Sequence, residues 1–172
     1  MSIRYARQEA LWGEEGQRKL SDAHVAVIGA GGLGSPALLY LAGAGVGRIS
    51  LFDDDVVSPS NLHRQVIHTT AAIGTPKTDS AAAALRALNP EVEISCHGRL
   101  ETATALEQLR GCDVLLDGTD NFDARYLCSW AAHSLGIPHI WASILGFDAQ
   151  MSVFWSGKGP VYEDVFPTAP AP

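Results

Sequence analysis

Cysteine is scarce in this chain, and its pattern excludes more than its number does. Cys96, Cys112 and Cys128 show no C-x-x-C spacing, so neither a disulfide framework nor a thiolate zinc site is expected; the pattern implies buried thiols in a reducing cytoplasm. Positive charge is also short. Twelve Lys and Arg face 19 Asp and Glu, a net charge of −7, which argues against nucleic acid or an anionic membrane as the main partner. The longest apolar stretch, Ala37 to Val46, is too short and too broken by glycine to span a bilayer. No charged-then-apolar leader opens the chain, and no internal repeat divides it. The expectation is one cytoplasmic domain with a core of its own.

What is present is apolar and glycine-rich: 47% hydrophobic residues and 17 glycines suit a compact α/β protein. Short β-branched runs predict strands at His24–Gly29, Arg48–Asp53, Val92–His97, Val114–Gly118, His139–Ala142 and near Gln150–Trp155. Helical spacing predicts helices at Leu33–Ala44, Pro76–Leu88, Thr102–Leu109 and Phe122–Leu135, and a first one over Glu9–Lys19. Thr75 is read as an N-cap before Pro76, Asn89-Pro90 as a stop, and Gly136 as the end of the last helix. Strand and helix in alternation give a doubly wound, mostly parallel, Rossmann-like sheet. The division expected is an N-terminal helical arm over 1–22, the nucleotide-binding domain over 23–158 and a proline-rich tail over 159–172. Four of the nine prolines lie from Pro160 onward, so that tail reads as a linker toward a missing C-terminal segment.

The chemistry-bearing residues gather where such a sheet binds ligands, beyond the carboxyl ends of its strands. Gly29-x-Gly31-Gly32-x-Gly34 ends the first strand and opens a helix, where bare backbone N–H groups cradle phosphate. Asp53 follows about 20 positions later, the spacing of an acid on ribose hydroxyls. Asp55 stands beside it, and Asn61, Arg64, Gln65 and Lys77 follow on a long segment that can fold back over the same edge. Asp120 and Asn121 come after the strand ending near Asp117. A glycine loop alone is a weak signal, but cations beside one suit a triphosphate, whereas hydride transfer from NAD needs none. Lys77 in particular sits near a helix N-terminus, a poor place for a cation unless function demands it.

G-A-G-G-L-G-S, D-D-D-V-V-S-P-S-N-L-H-R-Q, G-T-P-K and D-G-T-D-N, with R-Y-A-R-Q at Arg4–Gln8, together resemble the ubiquitin-activating-enzyme superfamily, and more closely its MoeB/ThiF-type adenylyltransferases. The resemblance implies ATP-dependent activation of the C-terminal Gly-Gly carboxylate of a ubiquitin-like sulfur-carrier protein as an acyl-adenylate, with release of pyrophosphate. The pathway implied is molybdopterin, thiamine or related sulfur-transfer biosynthesis. It further implies that Gly32 lines the phosphate cradle and Asp53 holds the ribose. Asn61, Arg64 and Gln65 contact phosphates, Lys77 neutralises charge at the reacting phosphate, and Asp120 binds Mg²⁺. Arg7 reaches the neighbouring subunit's site in a homodimer. Many members carry a zinc-binding C-x-x-C after a Gly-Pro turn; here Gly159-Pro160 leads into Val161-Tyr162-Glu163-Asp164, so no zinc is expected. The chain also stops short of the family's C-terminal portion with its reactive cysteine. Two other readings stay open: a non-catalytic domain that binds ATP or a partner, and an NAD-dependent oxidoreductase.

Overall fold

The computed structural model describes residues 3–169. Six strands form one sheet: β1 (His24–Ile28), β2 (Arg48–Phe52), β3 (Glu93–His97), β4 (Val114–Asp117), β5 (His139–Leu145) and β6 (Asp148–Phe154). Their order is β3-β2-β1-β4-β5-β6, parallel except for β6, which pairs antiparallel with β5. The order reverses between β1 and β4, the switch point at which doubly wound sheets bind ligands. β1 is the spine of the molecule. Ala26 and Val27 are fully buried and point to opposite faces, so each face must be covered by helices.

Setting aside the one-turn 3-10 segments, the helices are α1 (Ala6–Asp22), α2 (Gly34–Ala44), α3 (Lys77–Leu88), α4 (Ala105–Gln108), α5 (Phe122–Leu135) and α6 (Tyr162–Val165). One core cluster joins Val25, Val27, Ile49 and Leu51 to Leu38, Ala42, Ala81 and Leu85; a second joins Ala26, Ile28 and Leu115 to Leu109, Cys128 and Ala131. The alanines Ala81 and Ala82 are therefore packing residues that bring α3 close to the sheet.

Several local expectations fail for identifiable reasons. Thr75 does not cap α3. Its Oγ1 donates to the Ala72 carbonyl, and Pro76, with ψ at 136°, takes the cap position instead. The segment read as Thr102–Leu109 is helical only over Ala105–Gln108, because residues 102–104 form turns before it. The first helix is longer than its apolar spacing suggests and is interrupted at Gly13, whose φ of 73° only glycine adopts without strain. β6 begins at Asp148, two residues earlier than its β-branched composition indicates. Of the aromatic residues near the end of the sheet, Trp141 and Phe154 are buried, while Phe147 is fully exposed and Trp155 is 39% exposed.

The proline-rich stretch after residue 158 still packs where it is described. Tyr162 is fully buried against Tyr126, Trp141, Phe154 and Phe166, and Glu163 accepts a 2.6 Å hydrogen bond from Ser129 Oγ. Of the tail read as a linker, residues 170–172 lie outside the described residues. No helix among the described residues is long and apolar enough to cross a membrane.

Candidate functional site

A cleft of about 1000 Å³ opens above the switch point. Gly29, Gly31, Gly32, Asp53, Asp55, Asn61, Arg64, Gln65, Lys77, Asp120 and Asn121 all line it, so residues spread over nearly a hundred positions converge on one space. Gly34 and Arg7 do not line it.

The glycines divide by role. Gly29 has φ 95°, and a Cβ there would press on the Gly118 carbonyl at 3.2 Å, where the ends of β1 and β4 close together. Gly34 sits behind the loop: a Cβ on it would overlap the Gly29 carbonyl oxygen. These two let α2 start directly against β1. Gly31 and Gly32 face the cleft, with Gln65 Nε2 and the Arg64 stem at 3.8 Å and 3.3 Å from where their side chains would begin. α2 has no side chain capping its N-terminus, so the positive end of its dipole meets the cleft through backbone.

Asp53 ties the loops together. One oxygen accepts from Ala30 N at 2.8 Å and the other from Asp55 N at 2.9 Å, which leaves outward lone pairs free for a ligand. Lys77, with a side chain only 7% exposed, reaches from the first residue of α3 to the exposed Asp55 at 2.7 Å. Arg64 is exposed and, among the described residues, bonded only to the Ser60 carbonyl and His63 at 3.2 and 3.4 Å, so its charge is free to meet an anion. Asn61 Oδ1 caps its own turn through Ser58 N, and Gln65 is buried with Oε1 unpartnered.

Carboxylates of Asp53, Asp54 and Asp55 come within 4.8 Å of one another. Each is already compensated: Asp53 by backbone N–H groups, Asp54 by Arg99 at 2.9 Å, Asp55 by Lys77. Asp120 differs. It is exposed at the lip of the cleft and, among the described residues, its carboxylate has no hydrogen-bond partner; Asn121 alone caps α5, through Ala124 N at 2.9 Å. An uncommitted carboxylate lining the same cleft as the glycine loop is of a kind that could hold Mg²⁺, which takes one or two carboxylates and completes its shell with other oxygen ligands and water.

Sequence reasoning missed three contributors. His68 is buried; its ring nitrogens meet Ser80 Oγ at 3.0 Å and the Ala30 carbonyl at 3.2 Å, and burial pushes its pKa down. It braces the glycine loop from behind. Asp117, fully buried, accepts from Thr119 N and Oγ1 and meets His139 Nε2 at 3.1 Å, which fixes the loop carrying Asp120. Arg125 lines the cleft from α5, three residues after Phe122, and that spacing puts both on one helix face.

Arg7 lies elsewhere. The arm is anchored at the opposite end of the sheet, where Gln8 and Gln17 donate to the Ala44 carbonyl at the end of α2 and Tyr5 OH donates to Glu91. The 11 residues of α2 put about 16 Å between that end and the glycine loop.

Sheet order, glycine loop and cleft at the switch point define a Rossmann-like α/β domain. The chain belongs to the ThiF family, whose model matches residues 5–172. It is 47% identical over 176 residues to the probable adenylyltransferase/sulfurtransferase MoeZ of Mycobacterium tuberculosis, covering 98% of this chain and 45% of that protein. It is 46% identical to the sulfur carrier protein adenylyltransferase of Thermus thermophilus, over 98% of this chain and 65% of that one. Among solved structures, E. coli MccB with ATP superposes with a TM-score of 0.83 at 26% identity, covering 95% of this chain and 52% of that chain. The chain thus spans less than two thirds of each of these relatives.

Proposed function

We propose that this domain is the adenylation half of an enzyme that activates the C-terminal glycine carboxylate of a ubiquitin-like sulfur-carrier protein with ATP. One observation carries the reading: Lys77, a nearly buried cation at a helix N-terminus, together with Arg64 over Gly32, makes a polyanion site out of a Rossmann-like glycine loop. In the reaction a carboxylate oxygen bonds to the α-phosphorus. The α–β bridging bond breaks, and its electron pair leaves with pyrophosphate. The nucleophile is ionised at neutral pH, so no general base is needed; the barrier is the approach of an anion to a polyanion, and fixed cations lower it.

In this reading Asp53 holds the ribose, Gly31 and Gly32 present backbone to the phosphates, and Asn61, Arg64 and Gln65 contact them. Lys77 offsets charge at the reacting phosphate. Mg²⁺, held by Asp120, would neutralise charge on the leaving pyrophosphate. Arg7, far from its own glycine loop, would serve the partner's site in a homodimer, and the exposed Ile144, Leu145 and Phe147 of the β5–β6 hairpin offer apolar surface for a protein partner. The setting in this reading is cytoplasmic, and no zinc takes part in it. The pathway would be molybdopterin, thiamine or related sulfur transfer; the names of the Mycobacterium and Thermus relatives support the sulfur-transfer part of that reading.

Carrier-dependent ATP–pyrophosphate exchange by the full-length polypeptide, with ATP and NAD binding measured by calorimetry, tests the reading. Exchange with ATP preferred over NAD is the expected result. ATP binding without exchange would favour the non-catalytic alternative, and tighter NAD binding would sink the assignment.

A further inference from the structure

Arg125 is only 8% exposed, yet it opens onto the cleft. Nη2 donates to the Thr119 carbonyl at 3.4 Å and to Ser143 Oγ at 3.1 Å, and Nε is buried with no partner. Among the described residues no carboxylate pairs with it. Desolvating a guanidinium is unfavourable by several kcal/mol unless an anion offsets it, and one neutral carbonyl and one neutral hydroxyl do not. Aromatic faces hold the flat group instead, with Phe122 and Trp141 ring centres 5.0 and 5.8 Å away. A cation that is dry, oriented and left with free donors is prepared for an anion that the ligand brings.

The phosphate cations stand on another wall. Lys77 and Arg64 reach in from the segment after β2, while the partners of Arg125 follow β4 and lie on β5. β2 and β5 are three places apart in the sheet, on the order of 14 Å at the usual strand spacing. A nucleotide with its ribose at Asp53 and its phosphates on the glycine loop fills the β2–β1 half. With Asp120, on the loop after β4, at the edge of the phosphates, the β5 side remains for the second substrate, and it borders the exposed Ile144 and Leu145.

We propose that Arg125 anchors the C-terminal carboxylate of the incoming polypeptide, whose tail lies against Ile144 and Leu145. One oxygen pairs with the guanidinium while the other is left facing the α-phosphorus. The assignment rests on the adenylation reading above.

The test uses calorimetry on the full-length polypeptide with a ubiquitin-like Gly-Gly carrier from the same organism, prepared with a free C-terminal carboxylate and, by ligation, with a C-terminal carboxamide. The parent should bind the carboxylate form at least tenfold more tightly. Arg125→Gln should bind both forms alike while its ATP affinity stays within threefold of the parent. If that variant does not fold, Arg125→Lys, which keeps the charge and loses the planar fork, should show the preference reduced at least threefold. An undiminished preference in the variant that folds overturns the proposal. So does a tenfold loss of ATP affinity with the preference intact, which would make Arg125 a phosphate ligand. Failure of the adenylation reading looks different: the parent then binds neither carrier form, and both conclusions fall together.

Discussion

Two glycines of α2 should respond in opposite directions to the same substitution. A Cβ on Gly34 would overlap the Gly29 carbonyl oxygen and lie 2.9 Å from its carbon. Both obstacles are backbone, and Gly29 is held by its φ of 95° and a 2.7 Å bond from its N–H to Phe52, so nothing flexible can yield. Either α2 slides off β1 or the loop opens, an overpacking cost of about 3 kcal/mol, at the upper end of such changes. Gly43 meets only Leu88 Cδ2, at 3.9 Å, an ordinary contact. Alanine there gains helix propensity, about 0.5–1 kcal/mol. In urea, with a slope of about 2 kcal/mol/M, Gly34→Ala should lower the midpoint by roughly 1.5 M and Gly43→Ala should raise it by up to about 0.5 M, both at unchanged slope. Because the loop moves, Gly34→Ala should also lose at least tenfold in ATP affinity by calorimetry, and Gly43→Ala should lose none. A Gly34→Ala midpoint at or above the parent's would refute the packing role given to this glycine.

Asp120→Asn should slow pyrophosphate exchange by one hundredfold or more, about 2.7 kcal/mol of barrier, with stability within about 0.5 kcal/mol of the parent because the carboxylate supports no fold contact; a rate within a few-fold of the parent would reduce it to a loop residue. Mixing Arg7→Ala with Arg64→Ala chains should restore part of the activity if each site draws on two subunits; no rescue under proven subunit exchange counts against the dimer. Burial pushes the Cys112 thiol up to about 11 and raises Cys128 well above the usual thiol range, while Cys96 is raised but exposed. At pH 8 only about one Cys112 in a thousand is thiolate, so iodoacetamide should label Cys96 alone in the native protein and all three thiols in urea; rapid native labelling of Cys112 would contradict its burial.

The centre of the sheet was legible because β1 and β2 carry runs that only a two-sided burial rewards, as Val25 to Ile28 and Ile49 to Phe52 do. That glycines, an acid and cations would gather at one cleft was legible because residues of these types at fixed offsets need no tertiary information to be recognised. What escaped needed it. Thr75 carries the right residue type for a cap, but the antiparallel bridge between Val56 and Pro76 sets the backbone first. Tyr162 lies in a segment whose prolines and acids look solvated, and its burial becomes visible only with Trp141 and Phe154 around it. Arg125 looks like one more surface arginine on an amphipathic helix. The available signal was Phe122 one turn before it, an aromatic placed where it can stack on the guanidinium.

The two edges of the sheet are unlike. β3 presents the exposed Glu93 and Ser95 and the half-exposed His97 to water, while β6 carries Met151 at 78% and Val153 at 56% exposure along an open ladder, beside the bare Phe147. An unshielded apolar edge is a template for any other strand. Expressed by itself and concentrated, this chain should therefore be sticky at one end only, and a lysine at position 151 or 153 is the gatekeeper that would quiet it without touching the cleft.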